Sequence, residues 1–377
     1  MLITDLLRAL NDELPLQSAG YEKDAVGLQI GLPAGTELAK TLVVYEVTDE
    51  VIAEAEKKGA NLIVSYHPLI FPSISSITDS TRTGMLAARL IRSGIALYVV
   101  HTAFDSSPAY GTSRRMADAL GLTNIQPLSP LGGLLEKIVV YVPMENLSRV
   151  QEAMWKAGAG SIDNYDECSF IINGEGTFRG GEGTNPSIGT PFVREKVHEV
   201  RLEMICEKWK TARIVNAMKE AHLYEEVAFD VYPLANKHPR FGMGTLGDLP
   251  KELDMQGLLA VVKKGFGTKV LRHNGVGGTF ANVALIGGAG MEYYTRAKTA
   301  GARVLITADI RYHDFYRASH DNILLIDAGH AETERFVTSG LMVIVQKSGQ
   351  RLNLSDETIR SFVIESSLKP NSVVYYS

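Results

Sequence analysis

Four short segments of this chain place histidines and carboxylates where a hydrophobic strand runs out. His67 sits in Ser65-Tyr66-His67-Pro68 after Leu62-Ile63-Val64, and His101 and Asp105 follow Leu97-Tyr98-Val99-Val100. Asp309 and His313 follow Val304-Leu305-Ile306, while His330 and Glu334 follow Ile323-Leu324-Leu325-Ile326. Imidazole nitrogen with carboxylate oxygen suits zinc, iron or manganese better than calcium or magnesium, which take oxygen ligands. A divalent metal lowers the pKa of its bound water towards neutrality and so supplies a nucleophile. A bridging carboxylate can also hold two such ions about 3.5–4 Å apart, so one or two per chain are compatible with these residues.

Taken singly, each segment has an ordinary reading. His67 precedes Pro68, which fixes the chain and stops the strand, so it can be a plain turn histidine. Asp105 can simply cap the next segment. Gly329 ends a strand and Ala331 to Val337 reads as a helix start, which puts His330 and Glu334 on one face. A carboxylate near a helix N-terminus needs no metal to explain it, but that leaves the adjacent histidine unexplained. Asp309 and His313, also four apart, can be partners behind the ligands or a general acid/base. They can equally be a helix cap and a surface histidine. The convergence of four strand ends carries the metal reading.

The surrounding pattern supplies a way to bring those ends together. Apolar runs at Thr41 to Tyr45, Leu62 to Val64 and Ala96 to Val100 alternate with helical stretches at Thr48 to Ala55, about Thr81 to Ser93, and Ser113 to Leu120. Strands separated by helices imply parallel βαβ units, whose ligands bind beyond the carboxyl ends of the strands. The scheme recurs in the C-terminal part at Val283 to Ile286, Val304 to Ile306 and Ile323 to Ile326. The expected fold class is α/β, with two similar halves (1–130 and 240–377) of parallel or mixed sheet forming one metal-binding core. Lys58 to Ser65 and Ala300 to Thr307 are alike in spacing and type. Duplication explains this, and so does the generic passage from a glycine-ended helix to a buried strand.

Residues 136–234 have a different character. Strand patterns at Lys137 to Val142, Ser169 to Ile172, Glu199 to Cys206 and Val227 to Tyr232 enclose helices at Leu147 to Ala157 and Ala212 to Ala221. The order βαββαβ predicts an inserted ferredoxin-like α+β domain. Its glycine-rich stretch, Gly174 to Gly189, reads as a mobile connection or a binding loop, with Phe178 and Arg179 as the members to watch. Gly287-Gly288-Ala289-Gly290 follows a strand like a phosphate-binding turn but lacks the dinucleotide fingerprint, so no nucleotide cofactor is expected.

Composition narrows the class. The 377 residues are 45% hydrophobic and 21% charged, enough for several cores. A net charge of -5 offers no basic stripe and argues against a general nucleic-acid binder. The start reads as an amphipathic helix instead of a secretory signal, and no apolar run approaches the roughly 20 residues of a membrane span. Cys168 and Cys206 are too few for a disulfide scaffold, so reduced thiols in a cytoplasmic protein are expected.

In order along the chain, VGLQIG (Val26 to Gly31), SYHPLIF (Ser65 to Phe71), HTAFD (His101 to Asp105), GMGTLGDLP (Gly242 to Pro250), GGAG (Gly287 to Gly290), TADIRYHD (Thr307 to Asp314) and DAGHAETE (Asp327 to Glu334) resemble the GTP cyclohydrolase 1 type 2 family. These are the Nif-three-like dinuclear metal proteins. The resemblance spans nearly the whole chain. It implies metal ligands at His67, Asp105, His330 and Glu334, with His101 beside them, and a toroidal homohexamer whose sites face an internal cavity. The insertion resembles the PII/CutA-like domain of the longer bacterial members. Many bacterial relatives have two adjacent histidines where this chain has Tyr66-His67. The family name implies attack of activated water on C8 of GTP's guanine, ring opening and loss of formate, with a nucleotide or other small molecule as ligand. The rival reading is a non-enzymatic regulatory protein whose metals are structural or sensory and whose insertion binds a partner or effector.

Overall fold

The computed structural model describes residues 1–18, Tyr21 and 24–368. The chain divides into two compact units. One contains Met1–Pro130 and the residues from Arg240 onward, the other Leu131–Pro239. The second extends slightly beyond the 136–234 read from the sequence.

In the first unit, short apolar strands are buried along their whole length, as parallel strands covered on both faces must be. The helices between them are locally specified. Thr48 accepts a hydrogen bond from the Val51 amide at the start of Asp49–Lys58, and Gly59 ends that helix at φ 69°. Thr81 caps Arg82–Arg92 in the same way through the Gly84 amide. The resulting five-stranded sheet has the order Gly27–Ile30, Ala96–Val99, Leu62–Ser65, Thr41–Val44, Val363–Glu365. Its first pair is antiparallel and the rest are parallel.

Alternate residues of this sheet serve two cores. Val43, Leu62, Val64, Tyr98 and Val100 pack with Leu6 and Leu10 of Ile3–Glu13 and with Leu341 and Ile344 of Val337–Arg351. Leu42, Val44, Ile63, Leu97 and Val99 pack against Val51, Ile52, Leu86 and Leu90 on the opposite side.

A six-stranded sheet completes this unit in the order Arg272–His273, Leu324–Asp327, Val304–Ala308, Thr279–Ala289, Gly242–Asp254, Thr123–Pro130. Its three middle neighbours, Leu324–Asp327, Val304–Ala308 and Thr279–Ala289, are parallel, and the outer pairings are antiparallel. The two sheets do not divide at the sequence boundaries of 1–130 and 240–377. Thr123–Pro130 joins the second sheet, and Val363–Glu365 returns to the first.

The Leu131–Pro239 unit is an antiparallel sheet in the order Phe170–Arg179, Arg194–Glu207, Leu135–Pro143, Phe229–Pro233. Helices Leu147–Lys156 and Thr211–Ala221 bury Val150, Met154, Ile214 and Met218 against it. This is the split-βαβ connectivity. The glycine-rich stretch is not wholly a loop, since Gly174, Gly176 and Arg179 continue a paired strand. A side chain at Gly176 would sit 1.9 Å from Glu199 Oε2, so the cross-strand carboxylate accounts for that glycine.

Candidate metal centre

The ends of strands from both sheets of the first unit bring His67, His330 and Glu334 together. One donor atom from each lies within 4.8 Å of the others, the one such group found among the described residues. His67 Nε2 is 3.4 Å and His330 Nε2 3.2 Å from Glu334 Oε2. Glu334 is buried, while both imidazoles are partly exposed. Two nitrogens and a carboxylate oxygen, His67 from beyond one strand and His330 and Glu334 from the two ends of one short helical turn, make an appropriate donor set for a borderline divalent ion.

The groups behind these donors fix their orientation. His330 Nδ1 lies 2.6 Å from Asp309 Oδ2, which holds a ring proton on Nδ1 and turns Nε2 towards Glu334. Asp24 does the same for His101, whose Nδ1 is 2.7 Å from Asp24 Oδ1, and Asp24 also accepts from the Thr102 amide at 3.1 Å. The His67 ring lies 5.6 Å from His101 and 6.3 Å from His330, centroid to centroid. The Tyr45 hydroxyl donates to Glu334 Oε2.

Asp105 is not in the group of three. Its carboxylate accepts from the Tyr66 hydroxyl at 3.0 and 2.9 Å and from the Thr112 hydroxyl at 2.6 Å. The same Tyr66 hydroxyl lies 3.4 Å from Glu334 Oε1, so the phenol bridges the two carboxylates. Burial of Tyr66, reinforced by Asp105 and Glu334, pushes its pKa well above the ordinary value and keeps it a neutral donor.

The electrostatics describe a site balanced by protons. Hydrogen bonding to Glu334, against the opposing effect of burial, raises His330 to about 9. Burial works to raise Glu334, but the bonds from His330 and His67 outweigh it and hold the carboxyl at about 2. Burial carries Asp105 up to about 6 despite the Thr112 bond.

Two of the sequence-derived residues have backbones in the left-handed region, His101 at φ 29° and Asp309 at φ 54°. Such conformations are uncommon outside glycine and gather at functional sites. The GGAG turn runs beside the cluster. Gly288, at φ 61°, passes so close to the cluster that a Cβ there would lie 2.4 Å from Glu334 Oε1 and 3.2 Å from His330 Nε2. Its amide donates to Thr333 Oγ1 and its carbonyl accepts from Thr307, which fixes the approach.

His313 is not in the group of three. It is exposed on the helix Tyr312–His320 with its ring edge-on to Tyr312, while Asp309 faces His330. Asp24, Tyr45 and Thr112 escaped the sequence reading. Each acts on a residue remote in the chain or in a different element, and only the place of Tyr45 at a strand end hinted at its position.

This is a mixed α/β protein with a histidine–carboxylate cluster where its strands end. The family model Duf34/NIF3 (NGG1p interacting factor 3) matches residues 1–366. A Halalkalibacterium halodurans protein named GTP cyclohydrolase 1 type 2 homolog is 36% identical over 349 residues, 92% of this chain and 93% of that one. The Bacillus subtilis protein of the same name is 33% identical over 363 residues, 96% of each. The solved structure of a Bacillus cereus protein related to NIF3 aligns with a TM-score of 0.85 at 33% identity, covering 99% of this chain and 98% of that one. The chain belongs to the Duf34/NIF3 family.

Proposed function

We propose that the cluster holds a divalent cation (zinc, iron or manganese) and that the chain is a metal-dependent hydrolase acting on a nucleotide or related heterocycle. Ring opening of GTP with release of formate is the candidate reaction. The observation that carries the metal reading is the convergence of His67 Nε2, His330 Nε2 and buried Glu334 Oε2 within one small volume. The names of the relatives supply the candidate substrate.

A divalent ion held there would supply Lewis acidity and lower the pKa of water near the substrate. The chain's own residues do the rest. Asp309 fixes His330, Tyr45 and Tyr66 hold the two oxygens of Glu334, and Gly288 leaves room beside them. His101, backed by Asp24 and raised above the usual histidine pKa, is placed to hold or pass a proton at Nε2. Burial opposes that rise, and the hydrogen bond to Asp24 overcomes it.

We also propose that the protein works as a homohexameric ring in the cytoplasm, with the Leu131–Pro239 unit as a PII/CutA-like module. Among the described residues, no helix is long and apolar enough to cross a membrane.

A non-enzymatic regulatory role is the second reading, favoured by one observation. The Leu131–Pro239 unit contains a cavity of about 710 Å³ whose lining includes Tyr141, Phe178, Arg179, Glu199, Arg201 and Tyr224. That size suits a small effector.

The deciding experiment is metal analysis of protein purified without added metal, followed by a formate assay with GTP on the same sample. Metal with formate supports the hydrolase. Metal without formate moves the function to another substrate or to regulation, and metal absent even after loading with excess zinc removes the reading.

A further inference from the structure

We infer that each chain holds one divalent ion instead of two, and that Tyr66 is the residue that closes the second position. This rests on the metal reading above and concerns its stoichiometry.

The three converging donors account for one ion. A second ion would have to draw on what remains nearby, namely Glu334 Oε1, the Asp105 carboxylate and His101. The Tyr66 hydroxyl already stands between the first two, 3.4 Å from Glu334 Oε1 and 2.9–3.0 Å from the Asp105 oxygens. A zinc ion bound by both carboxylates needs contacts of about 2.0–2.2 Å to each, which puts it in the gap that the phenol bridges. Thr112 takes a further position on Asp105 Oδ1.

The phenol cannot simply swing aside. Tyr66 is only 2% exposed, and its ring packs against Phe104 and Tyr45 at centroid distances of 5.9 and 5.8 Å. Moving it would open a void in a closely packed core. His101 does not compensate, because with one ring nitrogen held by Asp24 it offers a single further nitrogen, and a single imidazole does not make a site. A neutral hydroxyl donor thus does for the two carboxylates what a second cation would do: it links them and offsets their repulsion. Asp105 becomes a residue that orients Tyr66 instead of a ligand.

The test is zinc content per chain after loading with excess zinc and desalting, with circular dichroism to verify folding. About one equivalent is expected for the wild type and for Asp105→Asn, and about two for Tyr66→His. Two equivalents in the wild type overturn the inference. So does a loss of zinc in Asp105→Asn, since that would make the Asp105 carboxylate a ligand. A folded Tyr66→His that stays at one equivalent removes Tyr66 as the cause. A wild type that takes up no zinc defeats the metal reading itself, a result distinct from all of these.

Discussion

Asp309 Oδ2 lies 2.6 Å from His330 Nδ1, and the two residues follow adjacent parallel strands whose register pairs Thr307 with Asp327. The sheet therefore sets both partners of the contact. Asp309 adopts a left-handed backbone to make it, which couples local strain to the orientation of a donor nitrogen.

Asp309→Ala should weaken zinc binding by roughly 10–100-fold, the usual effect of removing the carboxylate behind a ligating histidine. Competition with a chromophoric chelator measures it. Unchanged affinity would mean that the contact does not orient His330.

The metal-free protein should carry its proton balance into its stability. His330 is raised from 6.5 to about 9, so its contribution is complete below pH 6.5 and disappears as pH rises through about 9. Glu334, held at about 2 against 4.5, contributes above pH 4.5 and loses that contribution as pH falls towards 2. Asp105 has the opposite sign from Glu334, its cost setting in as pH rises from 3.8 through about 6. The gap in urea midpoint between wild type and His330→Gln should therefore close between pH 6.5 and 9. A gap that widens over this interval would show that the imidazole is not held by Glu334. Binding zinc at pH 7 should release about one proton, since the ligand must be neutral, and calorimetry in buffers of different ionisation enthalpy counts it.

Gly288→Ala should cost about 1–3 kcal/mol from backbone strain alone. It should also lower zinc occupancy, because the new Cβ would fall 2.4 Å from Glu334 Oε1. Denaturant titration and elemental analysis report the two effects separately. A variant with normal zinc content would show that Glu334 can retreat without losing the ion.

Replacing residues 137–233 by a short linker should leave a protein that still melts cooperatively and binds zinc, because the three donors belong to the other unit. An unfolded product would mean that the Leu131–Pro239 unit is required for the core to fold.

The site's outline could be read in the sequence for a physical reason. Strands buried on both faces appear as unbroken apolar runs, so polar residues just beyond Leu62–Ser65, Ala96–Val99, Val304–Ala308 and Leu324–Asp327 stand out. What escaped were contacts between distant positions, such as Tyr45 with Glu334 and His101 with Asp24, because a hydroxyl or carboxylate carries no local sign of its partner. Edge strands escaped too. Thr123–Pro130 contains Pro127 and ends in Pro130, which reads against a strand unless the strand lies at a sheet margin.

The exchanged margins also constrain how the two-sheet unit arose and how it can be cut. Val363–Glu365 lines up beside Thr41–Val44, and Thr123–Pro130 beside Gly242–Asp254, so each sheet is sewn with thread from both ends of the gene. Severing the coding sequence between the halves would leave each fragment with a borrowed edge missing. Co-expressed fragments should regain the native form only if each keeps the strand that it lends to the other, an inheritance in which neither half can travel alone.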